Sequence, residues 1–216
     1  MTGRGTVAGA EARPKDLAIY PAGSAQGNVP PALPVLPTTA YSRGMLETLR
    51  ALQRALQREK LEKYKRRVSF GDLVTDRWEN AKEYGFGEGT SCYDSVLVLG
   101  DVRVGRHTWI GPNVILDGSG GGLTIGDYCS ISAGVHIYTH TTVRHSVSLG
   151  KEPVERRPSA VGHGVYIGPN SIVTMGVTIG DQAVIGALSL VNHDVPARKK
   201  AWGCPATIRG DVEVGA

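Results

Sequence analysis

From Val98 onward an aliphatic residue returns at every sixth position: Val98, Val104, Ile110 and Leu116. The register breaks at the glycine-rich residues 118–122 and resumes at Ile125, Ile131 and Ile137. After a longer excursion it resumes again at Val161, Ile167, Val173, Ile179, Ile185 and Val191. Four positions beyond the aliphatic stands a small residue, from Val102, Thr108 and Val114 through Cys129, Val135, Val165, Ser171, Val177, Ala183 and Ser189 to Val195. Gly commonly follows the aliphatic, often with Asp, Pro or Asn next, and these are turn formers. Each hexad therefore reads as a short strand and a corner. Three hexads make a coil of about eighteen residues, and stacked coils bury the aliphatic ladder while their backbones bond to each other, so about four coils are expected. A sandwich would show alternation of period two instead.

Upstream the pattern changes. Met45, Leu49, Leu52 and Leu56 recur at steps of three and four among charges, which predicts an amphipathic helix over 43–67 with one face docked. Its other face carries Arg50, Arg54, Arg58, Lys63, Arg66 and Arg67; a solvated face is the favoured reading, with membrane-surface contact as the alternative. Residues 68–97 hold Trp78, Tyr84, Phe86 and Tyr93 without a clear period and are expected to cap the first coil, since an open end exposes strand edges. Residues 1–42, with Pro30, Pro31, Pro34 and Pro37 close together, are expected to form a disordered arm. The expected division is then arm 1–42, helix 43–67, cap 68–97, coiled domain 98–196 with a loop over 138–160, and a tail over 197–216.

Composition narrows this picture. Aromatic residues are only 6% of the chain while Gly reaches 29 residues, which suits short strands and tight turns. The net charge of +4 is mild and gives no reason to expect nucleic-acid binding. Three cysteines, Cys92, Cys129 and Cys204, form no CxxC and fit a reducing compartment. With no secretory start and no run near ~20 apolar residues, a cytoplasmic location is expected.

Several pieces of the register are specific: Ile125-Gly126-Asp127, Val165-Tyr166-Ile167-Gly168, Gly176-Val177-Thr178-Ile179-Gly180-Asp181, Val184-Ile185-Gly186-Ala187 and Gly203-Cys204-Pro205-Ala206, together with the excursion that carries His140. In these the chain resembles the hexapeptide-repeat acyltransferases, which include the galactoside, maltose, serine and xenobiotic acetyltransferases. The resemblance covers the C-terminal half and more. It implies an all-β fold, a left-handed parallel β-helix, assembled as a homotrimer with sites between subunits. It further implies acetyl-CoA as co-substrate and a small acceptor, a sugar or sugar nucleotide, as in enzymes of polysaccharide biosynthesis. No metal is expected.

Acyl transfer from a thioester needs a base for the attacking hydroxyl or amine, and histidine suits that task near neutral pH. His140, at the root of the excursion, corresponds best to the family's catalytic histidine; His145, inside the excursion, is second choice. Asn113 and Asp117 align with acceptor-facing residues of the sugar-acetylating relatives, although Asn113 also reads as a turn residue after Gly111-Pro112. For the acyl donor the resemblance points to Tyr166, in place of a more usual Trp, and to the backbone near Ala187. His193 stands where the family often has Lys, and Thr207 where it often has Arg. Arg198, Lys199 and Arg209 would then supply charge to the CoA phosphates. Two other readings stand beside this one: a gamma-type carbonic-anhydrase-like zinc enzyme using His136, His140 and His145, and a non-catalytic β-helix scaffold.

Overall fold

A computed structural model describes residues 43–213. The expected arm over 1–42 lies outside the described residues. The chain divides into two units, Met1–Leu46 and Glu47–Ala216; the helix α1 (Arg43–Tyr64) crosses that division. The second unit contains everything described below.

Its body is a parallel β-solenoid with three ladders per coil. On the first face the rungs run Ser91, Trp109, Ser130, Tyr166, Val184 and Lys200, each paired in parallel with the next. On the second they run Leu97, Ile115, His136, Ile172 and Leu190. On the third they run Arg103, Thr124, Ala160 and Thr178, and Ile179 bridges to Val195. The six-residue register is the core: Ile110, Leu116, Ile131, Ile137, Ile167, Val173, Ile179, Ile185 and Val191 are fully buried.

The small positions turn inward as well, and the polar ones bond to the backbone of neighbouring coils. Thr108 Oγ1 donates to the Gly126 carbonyl at 3.0 Å and accepts from Cys129 N at 3.0 Å. Ser171 Oγ donates to the Gly186 carbonyl at 2.9 Å and accepts from Ser189 N at 3.3 Å. Buried hydroxyls are thereby satisfied, which removes the desolvation cost that an unpaired one would carry.

The solenoid begins and ends farther out than the register suggested. Six rungs stand on the first face where about four coils were expected. Cys92 and Phe86 continue the six-residue phase backward from Val98 and are buried, with Thr90 and Val96 in the small positions. The segment 68–97 thus holds the first rung as well as the cap proper, α2 (Phe70–Val74) and α3 (Arg77–Glu83). Asp76 starts α3 by accepting from Trp78 N and Glu79 N, and Asn80 closes the open end by donating to the carbonyls of Cys92 and Tyr93. At the other end the expected tail is a hairpin, Lys199–Gly203 antiparallel to Ala206–Asp211, whose first strand is the last rung.

Two features depart from expectation at the helix. It ends at Tyr64 rather than near 67. Leu49 and Leu52 remain 47% and 48% exposed, so the apolar stripe is not covered there.

Candidate active site

The corner between the second and third faces differs from the other two. In one coil it is lengthened by residues 118–122, and in the next it opens into the excursion. That excursion leaves as the strand His140–Thr141, turns through α4 (Val143–Val147) and returns antiparallel as Glu155–Arg156. The two irregularities lie in adjacent coils, because Ile115–Leu116 pairs with His136–Ile137. The side chains that follow those rungs, Asp117 and His140, therefore meet.

His140 Nδ1 lies 2.6 Å from Asp117 Oδ2. Asp117 is fully buried, and its two oxygens are shared among four donors. Oδ1 accepts from Ser119 N at 3.0 Å and Ser119 Oγ at 2.5 Å, while Oδ2 accepts from Thr139 N at 3.2 Å as well as from the ring. Burial pushes the Asp117 carboxyl upward, but the Ser119 side chain and N–H, the Thr139 N–H and the His140 ring together hold it below its ordinary value. An ionised Asp117 makes Nδ1 the protonated nitrogen of a neutral His140 and leaves Nε2 with a free lone pair. Among the described residues no hydrogen bond reaches Nε2, and the side chain is 28% exposed. This is the arrangement of a histidine base held by a buried carboxylate.

Asp117 therefore cannot face an acceptor, contrary to expectation: it is enclosed, and its lone pairs are spent inside the site. Asn113 stands in a left-handed turn (φ 57°) between the first and second faces, at a different corner from His140, and is exposed. Within the chain it is a turn residue, as Asn170 is at φ 56° at the same corner two coils farther along. His145 lies on α4 with Nδ1 2.9 Å from the Glu152 carbonyl, away from the root of the excursion. His136 packs edge-on against Tyr138 on the second face. Among the described residues no cluster of three or more His, Cys, Asp or Glu side chains is arranged to hold a metal ion.

The residues expected at the acyl donor fall in two places. Tyr166 is exposed on the first face, Ala187 follows that face one coil on, and Arg198, Lys199 and Arg209 lie on or beside the terminal hairpin, where Lys199 pairs with Asp211 at 2.5 Å. His193 is instead at the corner shared with His140, two coils farther along, with its ring against Asn192. The first face lies opposite that corner, so one chain does not bring His140 and Tyr166 together. Cys129 is buried with Sγ 3.0 Å from the Gly162 carbonyl, and burial raises its thiol; burial likewise pushes the Cys92 thiol up to about 12. Neither is a nucleophile at neutral pH.

Ser119 and Thr139 were not among the expected residues. Their signal is faint: a serine among glycines, and a threonine before the histidine.

Comparison with known proteins agrees with this architecture. The family described as the hexapeptide repeat of succinyl-transferase matches residues 101–139 and 158–187. The chain is 34% identical over 110 residues to galactoside O-acetyltransferase of Escherichia coli K12, covering 50% of this chain and 53% of that one. It is 39% identical over 118 residues to nodulation protein L of Rhizobium meliloti, covering 51% and 60%. It thus spans a little over half the length of these relatives. Among solved structures, a hexapeptide-repeat acetyltransferase of Vibrio cholerae is similar with a TM-score of 0.55 and 28% identity, covering 77% of this chain and 94% of that one. In its repeat, its coil and these likenesses, the chain is similar to the hexapeptide-repeat acetyltransferases.

Proposed function

We propose that the protein is a CoA-dependent acyltransferase that moves an acyl group, acetyl in the first instance, to a hydroxyl or amine of a small acceptor such as a sugar or sugar nucleotide. The observation that carries this reading is the His140–Asp117 pair, with Nδ1 committed at 2.6 Å and Nε2 left to accept a proton. His140 Nε2 removes the proton of the attacking hydroxyl or amine as the new bond to the acyl carbon forms. The carbon–sulfur bond then breaks, and the imidazolium returns the proton to the departing thiolate. Asp117 stays ionised throughout and stabilises the imidazolium. No acyl-enzyme is needed.

The donor site we assign to Tyr166, Ala187, His193, Arg198, Lys199 and Arg209. His193 stands at the His140 corner, but Tyr166, Ala187 and the hairpin residues lie opposite it, so the reading requires a second copy to supply these, and a homotrimer does so with three equivalent sites. Trp109 and Tyr166, 36% and 42% exposed on the first face, are consistent with a surface that packs against another chain. For the acceptor we assign the groove that starts at the same insertion and is lined by Asp101, Arg103, Gly121, Gly122, Thr124 and Thr178. A cytoplasmic location fits three free cysteines. Among the described residues no helix is long and apolar enough to cross a membrane.

Thiol release from acetyl-CoA in the presence of a panel of sugars, amino sugars and sugar nucleotides tests the activity. Acceptor-dependent release supports it. Release no faster than hydrolysis across the whole panel, with longer acyl-CoA donors as well, contradicts it.

A further inference from the structure

The five residues 118–122 make the first interruption of the register, and the structure gives them a place at the site. Gly118 and Gly120 are squeezed: a Cβ on Gly118 would lie 2.0 Å from the Asp101 carbonyl oxygen, and one on Gly120 would lie 1.8 Å from that of Thr139. Only glycine lets the backbone pass there. Between them, Ser119 is turned back onto Asp117 and donates both its N–H, at 3.0 Å, and its hydroxyl, at 2.5 Å, to Oδ1. Gly120 N then donates to Thr139 Oγ1 at 2.8 Å, and the Thr139 carbonyl accepts from Arg157 N at 2.9 Å, which ties the insertion to the return of the excursion.

We propose that this glycine-rich insertion is the positioning part of the site, and that Ser119 is a positioning residue that sets the orientation and proton affinity of the Asp117–His140 pair. The inference deepens the reading of His140 as the base and rests on it. Ser119 Oγ lies on both partners, 2.5 Å from Asp117 Oδ1 and 3.2 Å from His140 Nδ1. The shorter contact decides the sign. A hydroxyl donated to the carboxylate spreads its charge and weakens its hold on the imidazolium, so removing the hydroxyl strengthens that hold. The charged groups of the returning strand are Arg156, the cross-strand partner of His140, the adjacent Arg157, and Glu155, which faces Thr141 and pairs with Arg144 at 3.5 Å. None of these changes in the variant.

The test compares wild type, Ser119→Ala and Ser119→Thr in the full chain, by NMR titration of the His140 ring without substrate and by pH–rate profiles. In Ser119→Ala the His140 titration and the acid limb are expected to move to higher pH, with kcat down about tenfold and KM within about twofold, in line with a lost charge-assisted hydrogen bond. Ser119→Thr keeps a hydroxyl and should restore both. An unmoved titration in a folded Ser119→Ala protein, whatever its activity, overturns the proposal. A titration that moves in a protein whose wild type shows no acyl transfer leaves the positioning role standing and defeats only the acyltransferase reading. Should Ser119→Ala fail to fold, Ser119→Cys, a weaker donor of similar size, is expected to shift the titration in the same direction; no shift there overturns the proposal as well.

Discussion

At His140 one ring nitrogen is committed to Asp117 while the other has no hydrogen-bond partner among the described residues, and the site follows from that difference. Asp117→Asn keeps the shape but removes the charge and offers an N–H to the ring, which favours the tautomer with its proton on Nε2. Loss of kcat by about 10³- to 10⁴-fold is expected, with the circular dichroism spectrum unchanged. The same carboxyl has a stability consequence. Its folded pKa is lowered, so it contributes stability above the ordinary carboxylate value near ~4, and that contribution is lost as pH falls through the lower folded value. Chemical denaturation of wild type should therefore weaken in that acid window more than that of Asp117→Asn, and equal slopes would contradict the assignment. As a candidate, His140 was picked out in the sequence by its place at the root of the excursion together with the family resemblance. The role of Asp117 was not: it sits 23 residues away, and the intervening insertion hides that one rung pairs Ile115–Leu116 with His136–Ile137.

At the scale of elements, the hexads carry the stability and a corner carries the proposed chemistry. Ile167 is fully buried between rungs above and below it, and Ile167→Ala should cost about 2–5 kcal/mol in urea unfolding. Leu149, 89% exposed in the excursion, should change stability by less than about 0.5 kcal/mol when replaced by Ala. The strands could be read directly because an inward aliphatic every six residues has no competing explanation. The ends could not: Phe86 and Cys92 hold the phase without an aliphatic residue, and at the far end the spacing shortens, so that Val195 rather than a residue at 197 bridges to Ile179. The last strand pair is antiparallel, and periodicity in a parallel solenoid says nothing of it.

At the scale of the molecule, a single chain holds the proposed base at one corner and, His193 apart, its proposed donor contacts on the opposite face. Light scattering should therefore give a mass of about three times 22.9 kDa, and dilution to monomer should abolish turnover. An active monomer would require the donor residues to be sought around the His140 corner instead. The central claim is that His140 moves the proton and does not hold the donor. Acetyl-CoA binding by calorimetry and CoA release by thiol detection, measured together on wild type and His140→Ala, test it most directly. The expected result is binding within a few fold for both proteins and turnover reduced by about 10²- to 10⁴-fold in the variant. Turnover that survives His140→Ala, or acetyl-CoA binding absent from both proteins, would contradict it.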